Sequence, residues 1–241
     1  RAIEWANKLS KPLLIFEPMT IDYPMASIRF HKFAIEGIQD IQKQTEKSKA
    51  FYFPYVEEKK GVADKLLIEL AKNAAVVITD DYPTYFVPQM TAEAKGSIQT
   101  TYELVDSNGL LPIRIAEKEY VRAHDFRRFM HKNIEDFLVE VPEQDPLEYL
   151  NLKFDEKLLE PIFKKYELVD FNKVNTQDFL NNLNVDKSVE ISDVVGGYNA
   201  AKSRLDLFAK KGFNDYSKLR SHPSEDASSQ LSPYFHFGHI S

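Results

Sequence analysis

Apolar positions along the chain alternate between two spacings. Residues 2–9 place them at helical intervals, and "PLLIFEP" (12–18) is a short apolar run closed by Pro18, which predicts a buried strand. Residues 25–46 return to the helical period, with Ile28, Phe33, Ile35, Ile38 and Ile41 recurring along one side. "AFYFPYV" (50–56) predicts a second strand, with Pro54 marking an end or an edge. "ADKLLIELAKN" (63–73) predicts an amphipathic helix. "AAVVITDD" (74–81), β-branched and ending in acids, predicts a third strand. A short helix is expected near 86–95 and a strand at "TTYELVD" (100–106).

Helices alternating with short apolar strands predict an α/β fold with a parallel, Rossmann-like sheet. Ligands of such sheets sit outside the carboxyl ends of the strands. Those ends carry Glu17, Tyr55, Asp80, Asp81, Asp106, Ser107 and Asn108. Two readings stand: a small-molecule rim, or polar turn residues that terminate strands.

The pattern changes from about residue 118. "KEYVRAHDFRRFMHKNIEDFL" (118–138) predicts a helix with Phe126, Phe129, Met130 and Phe137 on one side. Its basic residues Arg122, Arg127, Arg128, His131 and Lys132 form either an anion site or a solvated helix face. Residues 140–161 bring prolines and acids, as a linker with short helices does. Residues 174–191 predict a short helix capped by Thr176. Residues 198–220 are helical, with Gly212 expected to end the first section. The organisation expected is an α/β domain over 1–138, a linker over 139–195 and a helical segment over 196–241.

Composition narrows the function classes. There are no cysteines, which excludes disulfides and thiolate metal sites. The formal net charge of −6 argues against a nucleic-acid surface spread over this part of the chain. No apolar run is long enough to span a membrane and no stretch reads as a signal peptide, so a soluble cytoplasmic protein is expected. No G-x-G-x-x-G, Walker A or H-E-x-x-H pattern occurs. The six histidines are scattered, and His31, on a helix, reads as structural. No catalytic side chain and no metal ligand is predicted. The chain opens inside a helix without Met and closes in a helix with no room to finish, so both ends are expected to continue.

The last fourteen residues, "SSQLSPYFHFGHIS" (228–241), hold the most specific chemistry. Ser232 is a good N-cap and Pro233 a good first helical residue, with the helix expected to run on through Ile240. Hydroxyls of Ser228, Ser229 and Ser232 ahead of a helix N-terminus suit a phosphate or pyrophosphate. They equally suit an ordinary capped helix.

This stretch resembles the flavin-phosphate motif of the DNA photolyase/cryptochrome family, and its His-Phe-Gly form is most like the class II cyclobutane-pyrimidine-dimer photolyases. "VVITDDYPTYFVPQM" (76–90), "VDSNGLLPIR" (105–114) and "DFRRFMHK" (125–132) resemble segments of the class II antenna domain, in the same order. The resemblance implies an α/β antenna domain whose first strand precedes Arg1, a connecting segment, and the start of an all-helical FAD domain. It implies that Ser228, Ser229, Gln230, Leu231 and Ser232 hold FAD phosphates through hydroxyls and backbone amides. Tyr216 would contribute from upstream, with Tyr198 as its alternative. Gln230 stands where some members carry Gly or Arg, which changes a side chain and keeps the backbone donors. The activity implied is light-driven repair of pyrimidine dimers in UV-damaged DNA by electron transfer from reduced FAD. A cryptochrome-like photoreceptor is the alternative. An antenna pigment of deazaflavin or folate type is a further implied cofactor, with Glu17, Asp80, Asp81 and Asp106 as candidate neighbours. A monomer is expected. Residues 1–241 alone are expected neither to repair DNA nor to hold FAD firmly, because the rest of the flavin pocket would lie beyond Ser241.

Overall fold

The computed structural model describes residues 1–139, 142–225 and 227–241. Its elements follow in the order α1 (Ala2–Leu9), β1 (Leu14–Met19), α2 (Ile28–Thr45), β2 (Phe51–Val56), α3 (Val62–Ala71), β3 (Val76–Asp80), α4 (Val87–Ser97) and β4 (Thr101–Val105). After β4 come α5 (Ala123–Asn133), α6 (Glu160–Lys165), α7 (Thr176–Asn182), α8 (Tyr198–Leu207), α9 (Phe213–Leu219) and α10 (Ser232–His236). Among the described residues no helix is long and apolar enough to cross a membrane.

The fold is α/β with short parallel sheets. β1 pairs with β2 in parallel, Leu14 opposite Phe51 through Met19 opposite Val56. β3 pairs with β4 in parallel, Val76 opposite Thr101 through Asp80 opposite Val105. The parallel sheet expected from the sequence thus takes the form of two two-stranded ladders. In each, a helix carries the chain back between the strands, which is what parallel pairing of sequential strands requires. β1 does not stop at Pro18: the Met19 carbonyl still accepts from the Glu57 N–H at 2.8 Å.

The chain divides into two compact units, each assembled from two segments. The unit of Arg1–Leu13 and Asp64–Tyr166 holds β3 and β4. Its buried residues include Leu66, Leu70, Ile98, Leu150 and Ile162. Here Glu103, on β4, accepts from the Trp5 indole N–H at 2.6 Å and pairs with Arg1. The unit of Leu14–Ala63 and Glu167–Ser241 holds β1 and β2. Its larger core joins Ile28, Ile35 and Ile38 of α2 to Tyr52 and Val56 of β2 and to Phe171, Leu180 and Leu183. These α2 positions are the helical stripe read from the sequence. His31 lies fully buried in this unit, its ring nitrogens facing the Ser27 and Thr20 carbonyls at 2.9 and 3.2 Å, a structural role as expected.

Several local expectations are corrected. α5 begins at Ala123, not 118, and Tyr120 packs on Phe126 and Phe129 from outside the helix. Arg122, Arg127, Arg128, His131 and Lys132 are all exposed. The cap of α7 is Asn175, whose side chain accepts from the N–H groups of Gln177 and Asp178. Thr176 is the first helical residue, and its hydroxyl accepts from Gln39. Gly212 does not end its helix: the chain widens into a π-turn over Phe208–Gly212 and continues as α9. A wider turn absorbs the glycine without breaking the run of backbone bonds. In the stretch read as a linker, residues 140 and 141 lie outside the described residues. The remainder carries short 3₁₀ turns at Pro146–Tyr149 and Glu156–Leu159 before α6.

Glu17, midway along β1, is half-buried and accepts a hydrogen bond from the Tyr52 hydroxyl. Burial pushes its carboxyl above the ordinary value, and the Tyr52 bond offsets part of that rise. The folded state therefore keeps a proton at pH values where the unfolded chain has lost it. This contribution is full below the ordinary carboxylate value and is lost as pH rises through the folded value. Glu17→Gln keeps an acceptor for Tyr52 and removes the charge. Urea unfolding of the two proteins at pH 4 and pH 8 should show the variant losing less stability with rising pH. Equal pH dependence would contradict this account.

Candidate functional site

The site begins with how α8 is started. Its entry is Gly196-Gly197, and three N–H groups there are received by side chains from elsewhere. Gly196 N–H donates to Glu36 at 2.7 Å, Gly197 N–H to Nδ1 of His239 at 2.9 Å, and Asn199 N–H to Asp40 at 2.9 Å. Glu36 and Asp40 are both on α2. They supply the carboxylates that a helix N-terminus favours. Glycine is required by the closeness of approach. A Cβ at Gly196 would stand 2.1 Å from the Phe33 carbonyl oxygen, and one at Gly197 would stand 2.5 Å from Asp40. The His239 ring stacks on Phe33 with centroids 4.7 Å apart. It fills a notch at Gly37, where a Cβ would stand 2.3 Å from Nε2.

The serine-rich loop is pinned at both ends and open in the middle. Ala227 and Leu231 are buried, and Leu231 packs with Phe33, Ala201 and Tyr234. Ser228, Gln230 and Ser232 are exposed and Ser229 is half-buried. Arg204, on α8, donates to the carbonyls of Ser229 at 2.9 Å and Ser228 at 3.2 Å. Gln230 has φ 54, a left-handed conformation that a side chain strains, and Leu231 follows at φ −88, ψ −9. A left-handed residue followed by a right-handed one turns successive N–H groups toward one concavity, a shape that receives anions.

Each predicted site residue can now be placed. Ser228, Ser229, Gln230 and Ser232 share one loop. Leu231 buries its side chain there, which leaves its backbone as the part facing the loop, and its N–H lies 3.4 Å from the Ser229 hydroxyl. Ser232 is not the cap: it is the first residue of α10, Leu231 occupies the cap position, and no side chain bonds there. The helix ends at His236 rather than Ile240, as the chain turns left-handed at Gly238. Tyr216, on α9, packs edge-on against Phe208 at 5.5 Å with Arg220 over its ring. Tyr198 instead lines a cavity of about 430 Å³ with Lys202, Leu205, Gly238, His239, Ile240 and Ser241.

The rim carboxylates are engaged by their own loops. Asp80 accepts from the Ser107 hydroxyl at 2.6 Å, and Asp81 pairs with Arg114 at 2.6 Å. Asp106 accepts from the Ile113 N–H at 2.7 Å and from Asn108. Those bonds hold the Asp106 carboxyl below its ordinary value against the opposing effect of its desolvation. The turn-residue reading describes these positions. Sequence inspection missed Arg204, Glu36, Asp40 and His239. Only the Gly-Gly pair signalled that something had to come close.

Comparison with known proteins agrees with the motif. No family model matches the chain. A deoxyribodipyrimidine photo-lyase of Methanothermobacter thermautotrophicus is 28% identical over the whole chain, which covers 49% of that protein. One from Potorous tridactylus is 25% identical, covering 90% of this chain and 38% of its own length, and one from Arabidopsis thaliana is 24% identical, covering 100% and 47%. The chain is similar throughout to deoxyribodipyrimidine photolyases. It spans about half the length of the photolyases it matches. In fold it is similar to a class III photolyase from Agrobacterium tumefaciens, with TM-score 0.61 at 17% identity, 99% of this chain and 47% of that one. A cryptochrome from Synechocystis sp. PCC6803 gives TM-score 0.67 at 12% identity, covering 100% and 50%. The likeness in fold thus extends over both units. The donor types of the serine loop, hydroxyls beside backbone N–H groups, are those that suit a phosphate.

Two outcomes are expected. Burial lowers the His239 imidazole below its ordinary value, against the opposing pull of Asp40 and Glu36. Nδ1 accepts a hydrogen bond, so the folded ring is neutral. Its contribution is full above the ordinary histidine value, about 6.5, and is lost as pH falls from there through the folded value. His239→Asn offers an acceptor that does not titrate, and thermal unfolding of this variant should weaken less between pH 7.5 and pH 5. Separately, Gln230→Gly relieves the left-handed φ and should raise stability by about 1 kcal/mol, measured in urea. A loss of that size would mean the left-handed turn is not populated.

Proposed function

We propose that the complete protein repairs cyclobutane pyrimidine dimers in UV-damaged DNA by light, as a deoxyribodipyrimidine photolyase with FAD. The observation that carries this reading is the match of 90–100% of the chain to three proteins of that name. The serine loop supports it independently, on chemistry. In this reading residues 1–138 are the antenna domain, 139–195 the connecting segment and 196–241 the start of the FAD domain.

The roles of this chain's residues follow from their placement. Ser228, Ser229 and Ser232 offer hydroxyls to the flavin phosphates, and Gln230 and Leu231 contribute the loop backbone, where the Leu231 N–H donates to the Ser229 hydroxyl at 3.4 Å. Tyr216 belongs to the site only as an upstream contact on α9. Bound reduced FAD supplies the light-driven electron transfer to the dimer. The protein's part is to hold and orient, which is why no nucleophile or general acid is assigned. No residue is assigned to an antenna pigment, since Asp80, Asp81 and Asp106 are engaged by their own loops and Glu17 by Tyr52.

The test is made on the full-length parent purified in darkness. Flavin absorption bands and light-dependent loss of dimers from irradiated DNA are expected. Residues 1–241 expressed alone should retain little flavin through gel filtration. Flavin without repair would assign the protein to the photoreceptor class, and a flavin-free parent would return the serine loop to a plain helix lead-in.

A further inference from the structure

Three serines around a glutamine have many conformations open to them, yet the loop's carbonyls converge on one side chain. The Arg204 guanidinium donates Nε–H to the Ser229 carbonyl at 2.9 Å and Nη2–H to the Ser228 carbonyl at 3.2 Å. A guanidinium is a planar, rigid fork, so meeting both carbonyls orients two successive peptide planes together. In a trans peptide the C=O and the N–H point in opposite directions. Drawing the two carbonyls toward α8 therefore turns the N–H groups of Ser229 and Gln230 away from it. The left-handed φ of Gln230 continues that turn. Arg204 is itself well anchored. It lies one helical turn from Ala201, which is fully buried, on a helix whose entry, from Gly196 to Asn199, is held by Glu36, His239 and Asp40.

We propose that Arg204 is the positioning residue of the phosphate loop: it orders the peptides on either side of Ser229 and presets the Ser229 N–H toward an anion without touching the anion. This rests on the reading of residues 228–232 as a flavin-phosphate loop. Presetting matters because peptides already ordered need not be ordered on binding. A lysine could meet one carbonyl at a time and would do part of the task.

The test uses the full-length protein stripped of flavin, with fluorescence titrations of FAD and of riboflavin, which lacks phosphate. Arg204→Met should weaken FAD about tenfold, the scale of losing a charge-assisted bond that orders the site. Riboflavin affinity should stay as in the parent, and Arg204→Lys should recover part of the loss. Equal weakening of both flavins would make Arg204 a general structural residue and overturn the proposal. If Ser228→Ala and Ser229→Ala weaken FAD selectively while Arg204→Met does not, the loop reading survives and the positioning role falls. If none of the variants shifts FAD relative to riboflavin, the loop reading itself falls. Should Arg204→Met fail to fold, Arg204→Lys alone decides, with a smaller phosphate-selective loss expected and no loss refuting the role.

Discussion

A helix whose entry packs against another helix must find acceptors for the N–H groups of that entry. In this chain that requirement is met by α2, which sends Glu36 and Asp40 to the entry of α8, and by His239, which returns from the end of the chain to take the Gly197 N–H. Leaving a buried N–H unpaired costs about as much as the loss of a hydrogen bond or more. The rest of this unit follows from that arrangement. Glycine must stand at 196 and 197 because α2 is too close for a side chain. With α8 held, Ala201 is buried beneath Leu231 and Tyr234, and the serine loop has a fixed floor.

The loop divides its tasks among its residue types. Apolar residues at 227 and 231 anchor it, a cation on the neighbouring helix takes its carbonyls, and the polar residues between them face outward. Its hydroxyls are thus available to a ligand, whereas the carboxylates at the ends of β3 and β4 are not. Asp80, Asp81 and Asp106 look equally functional in a list of polar residues. Their hydrogen bonds to Ser107, Arg114 and Ile113 spend them on tying the two strand-end loops together. Half-buried Glu17 is a different case, a carboxyl raised above its ordinary value by desolvation and bonded to Tyr52.

Much of the fold was legible in the sequence because burial imposes a period. The α2 stripe of Ile28, Ile35 and Ile38 and the β-branched run of β3 could face a core in only one conformation each. The serine motif was legible because its residue order is distinctive. Caps were less so. Asn175 rather than Thr176 takes the α7 cap, and Leu231 rather than Ser232 precedes α10, since several adjacent residue types suit such a place and the backbone decides among them.

Sequence alone determined which segments are helix or strand, the parallel character of the sheets, and the grouping of Ser228 to Ser232, all of which depend on neighbours a few residues apart. Tertiary structure decided the rest. It split the strands into two ladders, closed the rim carboxylates, and brought Arg204, Glu36, Asp40 and His239 to the loop and its supporting helix. Those contacts join residues up to 160 positions apart. No local period records them, because hydrogen-bond partners are chosen by where folded backbones come to lie.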